Sequence, residues 1–216
     1  MSERATRVTD RHFRYLAERT VGDDEFLVAL KQAAQEAGIP AIAVSAEQAS
    51  FMQILLRLRG ARDVVEVGTL AGYSAIAMAR ALPDGGRVRT IEIEPRFAAF
   101  ARDWVARSEV EDKVEVIVGA GRDVLPRFET DSADACFLDA DKTSYGAYLD
   151  ECLRILRPGG LVMVDNAFAF GQLFDEQPTD PETPAIRAFN DFIAGVEALQ
   201  SVIVPLGDGM WVGVKS

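Results

Sequence analysis

The sequence predicts an α/β protein built on a parallel β-sheet with helices on both of its faces. From residue 63 onward, short β-rich runs alternate with stretches whose apolar residues recur at helical spacing, the pattern of a parallel sheet flanked by helices. The predicted strands are residues 63–67, 87–93, 113–118, 133–139 and 161–165. Two further β-rich stretches near the C-terminus are separated by Gly-Asp-Gly at 207–209, which predicts an antiparallel hairpin that closes the sheet edge.

Helices are predicted between these strands at residues 73–82, 95–108 and 144–156. Pro95 lies where a first helical turn tolerates proline, and the turn at 157–160 ends the third of these helices just before a strand. Residues 1–44 are predicted to be an N-terminal helical extension of the core at 45–216. Its two helices, around 11–19 and 24–37, are expected to pack on the main domain or on another subunit.

The stretch 167–184 is predicted to be a long loop that carries Phe168, Phe170 and Phe174. Loops of this length without secondary structure are uncommon unless they are functional. We therefore expect this loop to take part in the function of the protein.

Composition limits the possible functions of the chain. The 216 residues are 49% hydrophobic and 26% charged, which is ordinary globular composition. No apolar run reaches the about 20 residues that span a bilayer, and the first residues lack a secretory signal, so a cytoplasmic protein is expected. Cys136 and Cys152 lack the spacing of a zinc site and are expected to be core thiols. The net charge of -11 argues against a nucleic-acid partner and favours a small neutral or cationic molecule.

The turn after the first strand predicts a cofactor site. It runs from Glu66 through Gly68 to Gly72, at the sheet edge where ligands of parallel sheets collect. The fingerprints of dinucleotide and phosphate loops are missing. Glu66 would repel a pyrophosphate and attract an ammonium or sulfonium group, so the cofactor should be cationic there.

Glu92 ends the second strand, where an acidic residue usually accepts hydrogen bonds from ribose hydroxyls. An adenosine with a cationic tail would satisfy both Glu66 and Glu92. The alternative is that Glu92 and Glu94 only supply negative charge to the first turn of the following helix.

Polar residues also follow the fourth and fifth strands. Asp139, Asp141 and Lys142 follow the fourth strand, and Asp165 and Asn166 follow the fifth. Two carboxylates and an amide at one sheet edge make an all-oxygen site that suits Mg²⁺, Ca²⁺ or Mn²⁺ and does not suit zinc. The alternative is a set of helix caps and Asx turns.

Lys142 is the expected proton acceptor at this edge. The single histidine, His12, lies in the N-terminal extension far in sequence from every strand end, so it is expected to be a surface or packing residue. A nearby cation and partial burial would favour the neutral amine that a lysine base needs. Otherwise Lys142 is a solvated lysine at a helix start.

Taken together, these residues resemble the cation-dependent class I O-methyltransferases, which include catechol and caffeoyl-CoA O-methyltransferases and their bacterial relatives. The resemblance extends from Val44 to the final hairpin and rests on Glu66-Val67-Gly68, Gly72-Tyr73-Ser74, Asp139-Ala140-Asp141-Lys142, Tyr145, Pro158-Gly159-Gly160, Asp165-Asn166 and Gly207-Asp208-Gly209. It implies a Rossmann-like sheet of order 3-2-1-4-5-7-6 with strand 7 antiparallel. It also implies S-adenosylmethionine (SAM) as methyl donor, an oxygen as methyl acceptor, and a homodimer.

The resemblance implies three groups of site residues. The cofactor group surrounds the methionine part, the ribose and the adenine of SAM, and consists of Val44, Glu66, Gly68, Thr69, Ser74, Glu92, Gly121, Asp139 and Asp141. The metal ligands are Asp139, Asp165 and Asn166. Lys142 is the catalytic base, with Asp139 as the second catalytic residue.

One departure from the family pattern concerns the acceptor. Many relatives carry an aliphatic pair, a tryptophan and a polar residue after the Asp-Asn pair, whereas this chain has Ala-Phe-Ala-Phe at 167–170. The sequence therefore favours a small acceptor with vicinal hydroxyls without naming it. The alternatives are a tRNA hydroxyuridine methyltransferase, a SAM-binding protein that has lost catalysis, and a nicotinamide dehydrogenase.

Overall fold

The computed structural model describes residues 8–216 and contains a seven-stranded sheet. The strands are β1 Asp63–Val67, β2 Arg87–Glu92, β3 Val114–Val118, β4 Ala133–Leu138, β5 Leu156–Val164, β6 Leu199–Val204 and β7 Met210–Lys215. Their order is β3-β2-β1-β4-β5-β7-β6. Strands β1 to β5 are parallel, and β7 runs antiparallel to both β5 and β6. This confirms the expected order and the antiparallel seventh strand.

Helices cover both faces of this sheet. They are α1 Asp10–Ala17, α2 Glu25–Glu36, α3 Ala46–Arg59, α4 Tyr73–Ala79, α5 Pro95–Val105, α6 Gly121–Val124, α7 Tyr145–Ile155 and α8 Thr183–Ala194. The alternation of side chains along a strand sends Val64 into one hydrophobic cluster and Val65 into the other. Helices α2 to α5 contribute to the first cluster, and α6, α7 and α8 contribute to the second.

Two helices differ from the prediction from sequence. Helix α3 begins with a capping box in which Ser45 and Gln48 bond each other's backbone N–H groups, and it ends at Gly60 in the left-handed region. Helix α8 begins at Thr183, within the last two residues of the predicted loop at 167–184, and buries Ile186, Phe189 and Ile193. Neither helix was among those that the sequence predicts.

Strand β5 also differs from its prediction, which placed residues 157–160 in a turn before the strand. Helix α7 does end just before this segment, but β5 already pairs with β4 at Leu156. The pairing continues at Leu161 after a shift of register, so the Pro-Gly-Gly segment is an irregularity within the strand.

The N-terminal helices differ in how they contact the rest of the chain. Helix α2 buries Leu27, Leu30 and Ala34, whereas α1 has no buried residue. His12 is exposed on α1 and accepts a hydrogen bond from the Thr9 backbone N–H at 3.2 Å, which confirms a surface role. No helix within residues 8–216 combines the length and the apolar character needed to cross a membrane.

The two cysteines lie inside the sheet and the helix that the sequence predicts for them. Cys136 belongs to β4 and Cys152 to α7, and both are free and buried. The prediction that they are core thiols is confirmed.

Candidate functional site

A cavity of about 780 Å³ opens at the carboxyl ends of the parallel strands. It lies where β1, β2, β4 and β5 end, with the β6–β7 turn at one side. All but one of the site residues predicted from the sequence line it: Val44, Gly68, Thr69, Ser74, Glu92, Gly121, Asp139, Asp141, Lys142, Asp165 and Asn166. The exception is Glu66.

The turn after β1 brings the chain close to β4. Gly68 has a φ of 104°, and a Cβ at this position would collide with the backbone carbonyl of Asp139. Only glycine therefore fits the turn that forms the floor of the cavity. The backbone N–H of Leu70 in the same turn donates to Oε2 of Glu92 at 2.8 Å, which ties the turn to the end of β2.

Glu92 and Glu94 have different partners. Glu94 accepts a hydrogen bond from the Arg96 N–H at 3.3 Å and is the N-cap of α5, so of the two acids only Glu94 serves the start of that helix. Glu92 is buried, lines the cavity and accepts backbone N–H groups from Leu70 at 2.8 Å and Glu94 at 2.9 Å. The position of Glu92 thus fits a group that accepts hydrogen bonds from a ligand.

Glu66 lies beneath the cavity. It is fully buried, and its Oε1 accepts a hydrogen bond from the Ser74 hydroxyl at 2.5 Å, while its other oxygen has no partner among the described residues. Burial raises the pKa of Glu66 to about 8. Burial therefore favours the protonated form of this carboxyl group in the free protein, and Glu66 reaches the cavity through the Ser74 hydroxyl.

Close packing also restricts the residue type at Gly121, where α6 begins. A Cβ on Gly121 would lie 2.8 Å from the ring of Tyr148 and 2.9 Å from Val67, so glycine leaves this side of the cavity open. The Tyr148 hydroxyl donates to Oδ1 of Asp141 at 2.7 Å. Tyr148 thus orients an acidic side chain that lines the same cavity.

Lys142 lines the cavity after β4 and is buried, with only 6% of its surface exposed. Its Nζ lies 3.0 Å from Oδ1 of Asp139 and donates to the Tyr145 hydroxyl at 2.7 Å. Burial raises the pKa of Tyr145 well above its ordinary value, so the phenol stays neutral. The alternative of a solvated lysine at a helix start is therefore wrong.

Asp165 follows β5 and is also buried. Its Oδ1 accepts a hydrogen bond from Nε2 of Gln48 at 2.7 Å. Burial, followed by the negative charge of Asp139, raises the pKa of Asp165 above its ordinary value. A cation between the two carboxylates would offset this repulsion.

The predicted metal ligands have the donor chemistry of a hard-cation site. Asn166 has a φ of 68° and its Nδ2 donates to Oδ2 of Asp208 at 3.2 Å, so its amide oxygen remains available. No group of three His, Cys, Asp or Glu side chains suited to a metal occurs within residues 8–216. The predicted set of Asp139, Asp165 and Asn166 combines two carboxylates with one amide, all of them oxygen donors of the kind that Mg²⁺ accepts.

One wall of the cavity is formed by the segment between β5 and α8. Phe170 is 43% exposed and lines the cavity, and its backbone N–H donates to Oδ2 of Asp208 at 2.8 Å. Phe168 instead packs on the β6–β7 turn, where a Cβ on Gly209 would lie 2.8 Å from its ring. Of these two phenylalanines, only Phe170 contributes to the wall of the cavity.

Several cavity residues were not predicted as site residues: Gln48, Tyr148, Asp180, Glu182 and Asp208. The Ser45-x-x-Gln48 spacing indicates a helix start, but it does not indicate a contact with a residue 117 positions away. Asp180 and Glu182 lie in an irregular segment whose local pattern carries no functional signal.

Comparisons with known proteins identify the family of the chain. A family model described as O-methyltransferase matches residues 17–216. The chain is similar to a catechol O-methyltransferase of Niastella koreensis, with 38% identity over 93% of this chain and 90% of that protein. It is also similar to a catechol O-methyltransferase of Mycobacterium tuberculosis, with 41% identity over 80% of this chain and 78% of that protein. Among solved structures, the O-methyltransferase from Bacillus cereus in complex with SAH has a TM-score of 0.85 and 33% identity, over 95% of this chain and 97% of that chain.

Proposed function

Because the chain belongs to the O-methyltransferase family and is a SAM-dependent O-methyltransferase, we propose that it methylates one oxygen of a small catechol-like acceptor with the help of a divalent cation. The observation that carries this proposal is the buried Lys142, held beside Asp139 in the cavity that Asp165 and Asn166 also line. Groups suited to hold a cation and a group suited to accept a proton thus line the same cavity.

The turn after β1 and the end of β2 form the proposed SAM half of the cavity. SAM supplies a methyl group that its sulfonium charge already activates, so an acceptor oxygen can displace the sulfur in one step. Gly68, Thr69 and Ser74 would surround the methionine part, and Glu92 would accept hydrogen bonds from the ribose. Glu66 would act through the Ser74 hydroxyl that it binds.

Further cofactor contacts are proposed from the lining of the cavity. Gly121 leaves room for the adenine beside Tyr148, and Asp141 is held by the Tyr148 hydroxyl. Val44 is buried and would pack against the cofactor. Asp139 would lie between the proposed SAM half of the cavity and the proposed cation site.

Asp139, Asp165 and Asn166 are the proposed ligands of the cation, for which Mg²⁺ is the first candidate and Ca²⁺ or Mn²⁺ are alternatives. When bound, such a cation would draw two neighbouring hydroxyls of the acceptor to this end of the cavity and lower the pKa of one of them. Positioning and charge stabilisation would supply most of the catalysis.

Lys142 is the proposed base. Its burial and its contacts with Asp139 and Tyr145 hold the amine in one position at the cavity wall. As the new C–O bond forms and the C–S bond breaks, the hydroxyl proton would pass to Lys142 and then to solvent. Tyr145 does not compete for that proton, because burial raises its pKa well above the ordinary value and the phenol keeps its own proton.

The charge of the cavity supports a neutral or cationic acceptor. Seven carboxylate side chains line it, whereas Lys142 is the one basic side chain among the described lining residues. The carboxylates are Glu92, Asp139, Asp141, Asp165, Asp180, Glu182 and Asp208. Such a field repels anionic acceptors and attracts cationic ones.

An assay with SAM and catechol tests the cation requirement. We expect chelator-treated protein to be inactive and Mg²⁺ to restore methyl transfer, while calorimetry detects unchanged binding of SAH, the form of SAM without its methyl group. Full activity without any divalent cation would contradict the proposed metal site. SAH binding with no methyl transfer to a panel of catechols under any cation would favour a SAM-binding protein without catalysis.

The proposed subunit state rests on the family resemblance alone. We propose a homodimer, and light scattering of the purified protein should give twice the mass of the 216-residue chain. A mass of one chain would contradict it.

A further inference from the structure

Gln48 is a buried polar residue of the cavity wall, with 4% of its surface exposed. Its Nε2 donates to Oδ1 of Asp165 at 2.7 Å, and its Oε1 accepts the backbone N–H of Ser45 at 3.1 Å. The Ser45 contact determines the orientation of the amide, because a backbone N–H can only donate and so must face the amide oxygen, which leaves Nε2 facing Asp165.

Three separate elements hold this amide in position. Gln48 lies in the first turn of α3, where its own N–H donates to Oγ of Ser45 at 3.2 Å. Asp165 follows β5. Gly207 lies in the β6–β7 turn, where a Cβ would collide with the Gln48 amide. The start of α3 and the β6–β7 turn thus both pack against the side chain of Gln48 and restrict its movement away from Asp165.

The hydrogen bond determines how Asp165 can present its two oxygens. With Oδ1 engaged by Gln48, the carboxylate cannot rotate freely, and Oδ2 is left as the oxygen for another partner in the cavity that both residues line. Hydrogen bonds of this kind to a ligating carboxylate orient it and tune its affinity for a metal.

We propose that Gln48 is a positioning residue that holds Asp165 in the orientation in which it binds the cation. The inference rests on the proposed function, because it requires the cation site. It assigns to α3 a part in the reaction in addition to its part in the core.

The test measures binding of Mn²⁺ alone, by electron paramagnetic resonance, to SAH-loaded wild-type protein and two variants. Gln48→Met keeps the volume of the side chain but loses both the donor to Asp165 and the acceptor for Ser45. Ser45→Ala is the matched control, since it removes the other half of the capping box and leaves Gln48 intact. Both should lower the melting temperature, because a lost cap costs about 1 kcal/mol.

We expect Gln48→Met to weaken Mn²⁺ binding about tenfold or more, and Ser45→Ala to bind Mn²⁺ like the wild type. Wild-type affinity in Gln48→Met would overturn the inference, and so would an equal loss in both variants, which would assign the effect to the helix start. Absence of Mn²⁺ binding in the wild type would instead refute the cation site itself, and the inference with it.

Gly207→Ala provides a second variant in case Gln48→Met does not fold. The added methyl group would displace the Gln48 amide while leaving Asp165 and its neighbours unchanged in sequence. Folded Gly207→Ala, verified by SAH binding, should also show weakened Mn²⁺ binding. Unchanged Mn²⁺ affinity in this variant would overturn the inference.

Discussion

Ionisable side chains are buried in this site, and each has a specific hydrogen-bond partner. Lys142 contacts Asp139 and Tyr145, Asp165 contacts Gln48, and Glu66 contacts Ser74. Removing one member of a buried charged pair leaves the other uncompensated, which is costly in a low-dielectric interior. The charge state and the stability of each of these side chains therefore depend on the partner that it contacts.

Replacing Lys142 tests the proposed base. We expect Lys142→Met to lower the kcat for methyl transfer by about 100-fold or more, because the acceptor proton loses its local destination. Binding of SAH, measured by calorimetry, should be unchanged. Lys215→Met is the control, since Lys215 pairs with Asp131 at 3.2 Å and does not line the cavity. Wild-type kcat in Lys142→Met would exclude it as the base.

Glu66 should make the free protein less stable as pH rises. Burial raises its pKa from 4.5 to about 8, so between these values the folded protein keeps a proton that the unfolded chain has lost. The free energy of unfolding should therefore fall with pH across this window, by up to about 1.4 kcal/mol per pH unit, and level off above it.

Urea unfolding of wild type and Glu66→Gln from pH 5 to pH 9 isolates this contribution. Other groups titrate equally in both proteins, so the difference between the two curves reports Glu66. Identical pH slopes would show that Glu66 is already ionised in the folded protein at neutral pH.

At the scale of elements, the site is formed by strands that end side by side. The alternation of β-rich and helical stretches predicts β1 to β4 to within one residue at each end, because buried parallel strands leave continuous apolar runs. The rule that parallel strands share a carboxyl edge then brings Asp139, Asp165 and Glu92 to one cavity, as the structure has them.

The close approach of β1 and β4 should make Gly68 far less replaceable than other glycines. A Cβ on Gly68 would collide with backbone, whereas one on Gly159 would meet no atom within 4 Å, although φ is positive at both positions. Gly159→Ala should cost about 1 kcal/mol of stability, and Gly68→Ala about 3 kcal/mol or more. Urea unfolding measures both, and equal losses would contradict the close contact.

Other parts of the fold could not be predicted from local pattern. The Pro-Gly-Gly segment reads as a turn, yet β5 begins before it, because pairing of Leu156 with Ala133 continues the sheet across the irregularity. Gln48 reads as a capping residue, and its contact with Asp165 arises only when α3 packs beside β5. Asp180 and Glu182 reach the cavity because the segment before α8 folds back over the strand ends.

At the scale of the whole molecule, the net charge of -11 and the carboxylates that line the cavity both attract cationic molecules and repel anionic ones. Asp180 and Glu182 line the cavity in the same segment as Phe170, on the proposed acceptor side, and neither forms an ion pair with a basic side chain within residues 8–216. Their negative charge is therefore available to select acceptors by charge.

The double variant Asp180→Asn, Glu182→Gln tests this selection. We expect the ratio of kcat/KM for a catechol with an ammonium side chain to that for a catechol with a carboxylate side chain to fall about tenfold. The kcat/KM for uncharged catechol should change little. Asp175→Asn is the control, since Asp175 lies in the same segment but does not line the cavity. An unchanged ratio would remove these two residues from acceptor selection.

The central claim is that two neighbouring oxygens of the acceptor are held together and one of them receives the methyl group of SAM. Mass spectrometry of reactions with isotope-labelled methyl SAM and Mg²⁺ tests it directly, with catechol compared against resorcinol, whose hydroxyls are not adjacent. We predict one labelled methyl group on an oxygen of catechol and at least about 100-fold less product from resorcinol. Equal methylation of both compounds would contradict the claim.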